Sequence, residues 1–247
     1  MDNYYNNLKE FRRSLINIMR KMEFSELDPA IRHQQLIPNA SYSPWLTDNL
    51  FLQTYEVIKN HTLVDIYRCY ELYSIASGLN KLEGHCMEVG VWKGGTAAII
   101  AKAVSENTAT KVLLFDTFKG VPKAGAKDTL YKGGEHSDTS REVVIELMKE
   151  LKLFNCEIHR GIFPDDFPNI TIQKLKMVHI DVDVYQSAKD IFEYVWPKLV
   201  VGGVVVFDDY GFWGCEGITK LFNGIMHPNV FKVYNLNGHG LIAKIAS

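Results

Sequence analysis

From about residue 85 onward the sequence alternates short apolar runs with amphipathic stretches, and the runs stop at acids or turn signals. Short apolar runs bounded in this way read as buried strands, and apolar residues recurring every three or four positions read as helices. The pattern predicts strands near 85–91, 111–116, 155–161, 175–183, 203–209, 230–235 and 240–246. Helices are predicted near 94–106, 139–152, 187–199 and 215–225, preceded by helical stretches near 48–59 and 62–79. This alternation restricts the chain to an α/β fold, a Rossmann-like seven-stranded, mostly parallel sheet covered by helices on both faces. The last two strands, joined at Asn237-Gly238, form an antiparallel C-terminal hairpin in this reading.

Two of the apolar runs end in acidic pairs. Asp181-Val182-Asp183 follows Lys176-Met177-Val178-His179-Ile180, and Asp208-Asp209 follows Gly203-Val204-Val205-Val206-Phe207. In an open α/β sheet, ligands bind outside the carboxyl ends of the strands. If the two strands are neighbours, these carboxylates crowd one rim and raise one another's pKa values. A cation relieves that repulsion, and the arrangement reads as a site for a hard, oxygen-seeking ion such as Mg²⁺. In an extended strand Asp181 and Asp183 share a face, because side chains alternate with period two.

The first strand runs into Glu88-Val89-Gly90-Val91-Trp92-Lys93-Gly94-Gly95-Thr96. Glycines at a strand-to-helix turn let a ligand approach the backbone, although a tightly buried turn needs them too. The spacing is not the G-x-G-x-x-G of nicotinamide enzymes, nor is it a P-loop. The second strand ends at Phe115-Asp116, where an acid following a Gly-rich turn can grip a ribose diol or cap the next turn.

The glycine turn resembles the E-x-G-x-x-x-G motif of class I S-adenosylmethionine (SAM) methyltransferases. Taken with Phe115-Asp-Thr-Phe-Lys-Gly-Val-Pro122, His179-Ile-Asp-Val-Asp-Val-Tyr-Gln-Ser187, Phe207-Asp-Asp-Tyr-Gly211 and Gly214-Cys-Glu-Gly217, the chain resembles the macrocin O-methyltransferase family over roughly residues 62–246. That family methylates sugar hydroxyls of natural products with SAM and Mg²⁺. The resemblance implies Mg²⁺ held by Asp181, Asp208 and Asp209, and Asp183 as general base or as a carboxylate behind the ligands. It implies a SAM site built from Glu88, Gly90, Val91, Gly94, Gly95, Thr96, Asp116, Thr117 and Asp181, approached by Thr62 and Leu63. The acceptor is then a sugar or glycoside with vicinal hydroxyls, and the protein a homo-oligomer.

The chemistry is consistent with these roles. A sugar hydroxyl is a weak nucleophile. A divalent cation lowers its pKa and fixes its orientation, and a carboxylate takes the proton. Glu135, His136, Tyr185 and Tyr210 are further candidates for acceptor contacts, against plainer roles in the surrounding loops. Ser187 reads as the N-cap of its helix, and His179 as packed within the sheet.

Ahead of this domain, residues 1–60 read as a helical extension or lid and 61–247 as the methyltransferase domain. Leu8, Phe11, Leu15, Ile18 and Met22 predict an amphipathic helix over 4–22, packed on its own domain or serving as a dimer contact or lid. Residues 23–47 are irregular, punctuated by Pro29, Pro38 and Pro44. The segment 117–139 lacks periodicity and falls at the ligand-binding rim, which marks it as functional or disordered.

The net charge is −2, and no basic stripe points to nucleic acid. Cys69, Cys86, Cys156 and Cys215 have no metal-binding or redox spacing and suit reduced thiols. No signal peptide or membrane span is evident, so a cytoplasmic protein is expected. Two rival readings are a metal-dependent glycosyltransferase holding a nucleotide sugar through Asp181-x-Asp183, and a non-catalytic SAM-binding protein.

Overall fold

The structure is a computed structural model describing residues 2–21, 23–24, 27–36 and 40–247, with side chains described from residue 4 and not at 23–24. Met22 and Pro38 lie outside the described residues. The chain divides into two compact units, 1–43 and 44–247. The first contains helix α1 (Asp2–Met19), where the apolar spacing predicts one, and a short antiparallel pair, β1 (Glu23–Phe24) with β2 (His33–Gln34).

The second unit opens with a 3₁₀ turn at Pro44–Leu46, followed by α2 (Asn49–Ile58) and α3 (Ile66–Gly78). The boundary at 43/44 falls earlier than the expected break at 60. The reason is burial: Phe51 and Ile58 of α2 are fully buried in one core cluster with Leu72 of α3 and Ile99 and Ile100 of α4 (Gly95–Ala103). Phe51→Ala is expected to cost about 3–5 kcal/mol, read as a lowered denaturant midpoint at unchanged m-value.

Alternation then continues as expected: β3 (His85–Val89), α4, β4 (Val112–Asp116), α5 (Arg141–Glu150), β5 (Cys156–Arg160), β6 (Leu175–Ile180), α6 (Tyr185–Val195), β7 (Leu199–Phe207), α7 (Glu216–Gly224), β8 (Val230–Tyr234) and β9 (Gly240–Lys244). The seven-stranded sheet has the order β5-β4-β3-β6-β7-β9-β8. Strands β3 to β7 run parallel, and β9 is antiparallel to both β7 and β8.

Both faces of the central strands are buried, which is why they read as unbroken apolar runs. Cys86, Met177 and Val206 face the cluster under α2–α5, while Met87, Val178, Val205 and Phe207 face the cluster under α6 and α7. Several boundaries moved by three residues or more, among them those of α6, β6 and β7. α6 ends at Val195 because Pro197 cannot continue it, and a 3₁₀ turn leads into a β7 that starts at Leu199 rather than 203. β6 stops at Ile180, short of the acids expected inside it.

A carboxylate-lined cavity at the switch point

The strand order reverses at β3, which pairs with β4 on one side and β6 on the other. Helices on opposite faces diverge there and leave a crevice above the strand ends. The crevice is a cavity of about 280 Å³ whose wall includes Gly90, Asp116, Asp181, Asp183, Asp208 and Asp209. Val91, Thr96, Thr117, His136, Thr62 and Leu63 also contribute to the wall. The motifs of four different strand ends therefore converge on one space.

The glycine turn is shaped by its neighbours. Gly90 has φ 92°, and a Cβ there would lie 1.5 Å from the Asp181 carbonyl oxygen. Gly95 meets the segment before α3: its N–H donates to the His61 carbonyl at 2.9 Å. Glycine at 90 is thus required by backbone approach alone, before any ligand is considered. Gly90→Ala is expected to drive the β3 and β6 ends apart. It should lower the melting temperature and abolish cofactor binding together, as followed by thermal unfolding and titration calorimetry.

Asp116 is drawn into the same turn. Its Oδ2 accepts from the Val91 and Trp92 N–H groups at 2.7 and 2.8 Å, and its Oδ1 from Phe118 N–H at 2.6 Å. It therefore fills the capping role while keeping a place in the cavity wall.

The Asp181–Asp183 segment differs from the extended strand expected. The Asp181 N–H still donates to the Val89 carbonyl at 2.9 Å, but Asp183 has φ 63°, a left-handed conformation that Asp tolerates better than most residues. The two carboxylates reach the cavity through a turn, not through strand alternation. Asp209 is also left-handed, with φ 62°.

Asp181, Asp208 and Asp209 bring carboxylate oxygens within 4.8 Å of one another, and Asp209 Oδ2 is buried with no hydrogen-bond partner. Burial and the surrounding acids push Asp181 and Asp209 well above the usual carboxylate range. Asp183 is raised by burial, opposed by the Tyr131 hydroxyl and His136. Asp208 goes the other way: burial would raise it, but Arg68 and His239 hold it well below the usual range. An orphaned carboxylate oxygen among crowded acids is the donor set that a hard divalent ion fits.

Arg68, Glu71 and His239 were not anticipated from sequence. Arg68 Nη1 sits 2.7 and 2.8 Å from the two Asp208 oxygens, and its Nε donates to Asp65 at 2.9 Å. His239 lies between acids, with Nδ1 2.5 Å from Glu71 Oε2 and Nε2 2.9 Å from Asp208 Oδ1. Burial lowers the His239 pKa, but the flanking carboxylates of Asp208 and Glu71 outweigh it and raise it above its usual value, which favours the charged ring beside Asp208. The one signal in the sequence is Arg68 itself. It shares the buried stripe of α3 with Cys69, Leu72 and Ala76, where a charge needs a partner.

Several candidate residues lie outside the cavity wall. Glu88 is fully buried and paired with His179 Nδ1 at 2.7 Å, because its position on β3 faces the helices and not the strand end. Gly94 caps α4 in a left-handed conformation, and Gly95 is used by the contact with His61. Glu135 braces its own loop, accepting from the Lys132 and Gly133 N–H groups at 2.7 and 2.9 Å. The Tyr185 ring lies under the Lys127 ammonium, and Tyr210 is buried with its hydroxyl donating to Asn223 at 2.6 Å. Ser187 is not the N-cap of α6. That position is Val184, and the first free amide, Tyr185 N–H, is capped from afar by Asp128 Oδ1 at 2.8 Å.

The same Asp128 also accepts from Gly125 N–H at 2.8 Å, and Thr129 donates to the Gly214 carbonyl at 2.8 Å. The 117–139 segment is thus an ordered wall fastened by side-chain-to-backbone bonds. It brings Tyr131 and His136 into the cavity beside Asp183, with the Tyr131 hydroxyl 3.4 Å from His136 Nε2.

A parallel sheet with an antiparallel hairpin and a carboxylate-lined cavity at the switch point is the architecture of an O-methyltransferase. Residues 53–228 match the macrocin O-methyltransferase (TylF) family, and the chain belongs to that family. It is 30% identical over 178 residues to the 8-demethyl-8-(2,3-dimethoxy-alpha-L-rhamnosyl)-tetracenomycin-C 4'-O-methyltransferase of Streptomyces olivaceus, covering 66% of this chain and 68% of that one. It is 28% identical over 166 residues to the demethyldecarbamoylnovobiocin O-methyltransferase of Streptomyces niveus, covering 61% of this chain and 62% of that one. The chain therefore spans about two thirds of these relatives' length. The fold is also that of the O-methyltransferase NovP, with a TM-score of 0.68 at 23% identity over 75% of this chain and 83% of that one. Family membership displaces the glycosyltransferase reading. Among the described residues no helix is long and apolar enough to cross a membrane.

Proposed function

We propose that this protein transfers a methyl group from SAM to a hydroxyl of a sugar bearing vicinal hydroxyls, with the help of Mg²⁺. The observation that carries the reading is the convergence of Asp181, Asp183, Asp208 and Asp209 on the cavity that the glycine turn bounds. Sugar-modifying relatives support the acceptor class. A homo-oligomer belongs to this reading and is carried by the family resemblance.

When bound, SAM supplies an electrophilic methyl on a sulfonium, and the divalent ion supplies a Lewis acid that lowers the acceptor's pKa. Gly90, Val91, Thr96, Asp116 and Thr117 line the part of the cavity that would take the cofactor. Asp181, Asp209 and one oxygen of Asp208 would hold the ion. Asp183, whose pKa burial raises above the usual carboxylate range, takes the hydroxyl proton at a carboxylate oxygen.

The test is methyl transfer from labelled SAM to a panel of glycosides, nucleotide sugars and free sugars, with Mg²⁺ or with chelator. Labelled product confined to acceptors with vicinal hydroxyls and lost in chelator is the expected outcome. SAM binding without transfer to any member would favour a non-catalytic SAM-binding protein.

A further inference from the structure

An ionised carboxylate next to other acids in a buried site needs a group that holds it in place. Asp208 is buried, yet its carboxylate is not free to turn. A single nitrogen of Arg68 straddles both oxygens, at 2.7 and 2.8 Å. Oδ1 also faces His239 Nε2 at 2.9 Å. Each carboxylate oxygen has two acceptor positions. Arg68 takes one on each oxygen, and the His239 ring crowds Oδ1, so Oδ2 is the more open of the two.

Arg68 is fixed in turn. Asp65 is the N-cap of α3, accepting from the Tyr67 and Arg68 N–H groups at 2.9 and 3.0 Å through one oxygen, while its other oxygen accepts from Arg68 Nε at 2.9 Å. The guanidinium lies over the Phe212 ring at 4.7 Å. A planar guanidinium held by a helix cap, an aromatic face and a carboxylate has little freedom left, and lysine cannot reproduce that geometry.

We propose that Arg68 is a positioning residue of the cation site, which fixes the plane of the Asp208 carboxylate and leaves Oδ2 as its more open oxygen toward Asp181 and Asp209. This inference rests on the divalent-cation reading. It extends the site to α3, outside the strand-end motifs. Partners behind metal ligands commonly change metal affinity 10–100-fold when removed, because they orient the ligand.

The probe is Mn²⁺ alone, titrated into the cofactor-free full chain and followed by electron paramagnetic resonance, with S-adenosylhomocysteine binding and thermal unfolding as controls of the fold. Arg68→Lys keeps the charge and discards the straddling geometry, so the two effects separate. The expected result is Mn²⁺ binding weakened about tenfold, with the melting transition still cooperative and S-adenosylhomocysteine affinity unchanged. The weakening should vanish when Arg68→Lys is placed on an Asp208→Asn background, since coupled residues are non-additive. Asp65→Ser keeps a helix cap but withdraws the Nε partner. It should give a smaller loss in the same direction, and it serves if the lysine variant does not fold.

Wild-type affinity in both single variants would overturn the proposal, as would an equal loss on the Asp208→Asn background. A wild-type protein that binds no Mn²⁺ would instead overturn the cation reading beneath it.

Discussion

Asp183→Asn is expected to lower methyl-transfer turnover by about 10²- to 10⁴-fold, the range associated with loss of a general base. SAM and Mn²⁺ affinities should remain at wild-type values. The substitution is well controlled by the backbone. Asp183 is left-handed, with φ 63°, and asparagine is among the few residues that share this tolerance. The variant therefore removes the proton acceptor without straining the turn. Asp209→Asn gives the contrasting result, because Asp209 carries the buried oxygen without a partner. Mn²⁺ affinity should fall there, and turnover should recover in part at high metal concentration. Equal turnover in wild type and Asp183→Asn at saturating Mg²⁺ would remove Asp183 from the mechanism.

A comparably large effect is expected in stability against pH. Asp181 and Asp209 have raised folded-state pKa values, caused first by burial and then by neighbouring acids. Between the ordinary carboxylate value and the raised one, the native state holds more protons than the unfolded state. Stability contributed by these groups therefore falls as pH rises through that interval. A bound divalent ion requires the ionised forms, so its stabilisation grows over the same interval. At a free Mg²⁺ concentration about 100 times Kd the gain is about 2.7 kcal/mol, or roughly 5–10 °C for a chain of this size. Paired melting curves in Mg²⁺ and in chelator should converge toward the ordinary carboxylate range and diverge as pH rises above it. A constant gap across that interval would mean that ion binding does not depend on these two acids.

The sheet could be read from the sequence because its central strands are buried on both faces and so appear as continuous apolar runs. The acids at 181, 183, 208 and 209 were legible for a related reason, since charge at the end of such a run can lie only at a rim. Other features depend on information that sequence spacing does not carry. Arg68 meets Asp208 across 140 positions of sequence, and nothing near either residue names the other. The turn at Asp183 depends on a left-handed conformation in a residue other than glycine. Tyr185 and Tyr210 follow the acids directly in sequence, but one lies under a lysine and the other turns into the core beside Phe222. Segment 117–139 shows no periodicity because its order comes from single side chains such as Asp128 and Thr129 bonding to distant backbone.

The antiparallel pairing of β9 has a consequence for the order in which the molecule is assembled. β9 follows β8 in the chain but lies between β7 and β8 in the sheet, and His239, which braces Asp208, immediately precedes it. A ribosome releases the acids of β6 and β7 long before the strand that completes their surroundings. Until β9 docks, β8 has no sheet partner and Asp208 lacks His239. The contacts of Arg68 with Asp208 and of Glu71 with His239 span 140 and 168 positions, and contacts so distant in sequence form late, which makes the cation site one of the last parts of the fold to mature. Divalent-cation uptake during refolding should accordingly lag behind the recovery of helical signal.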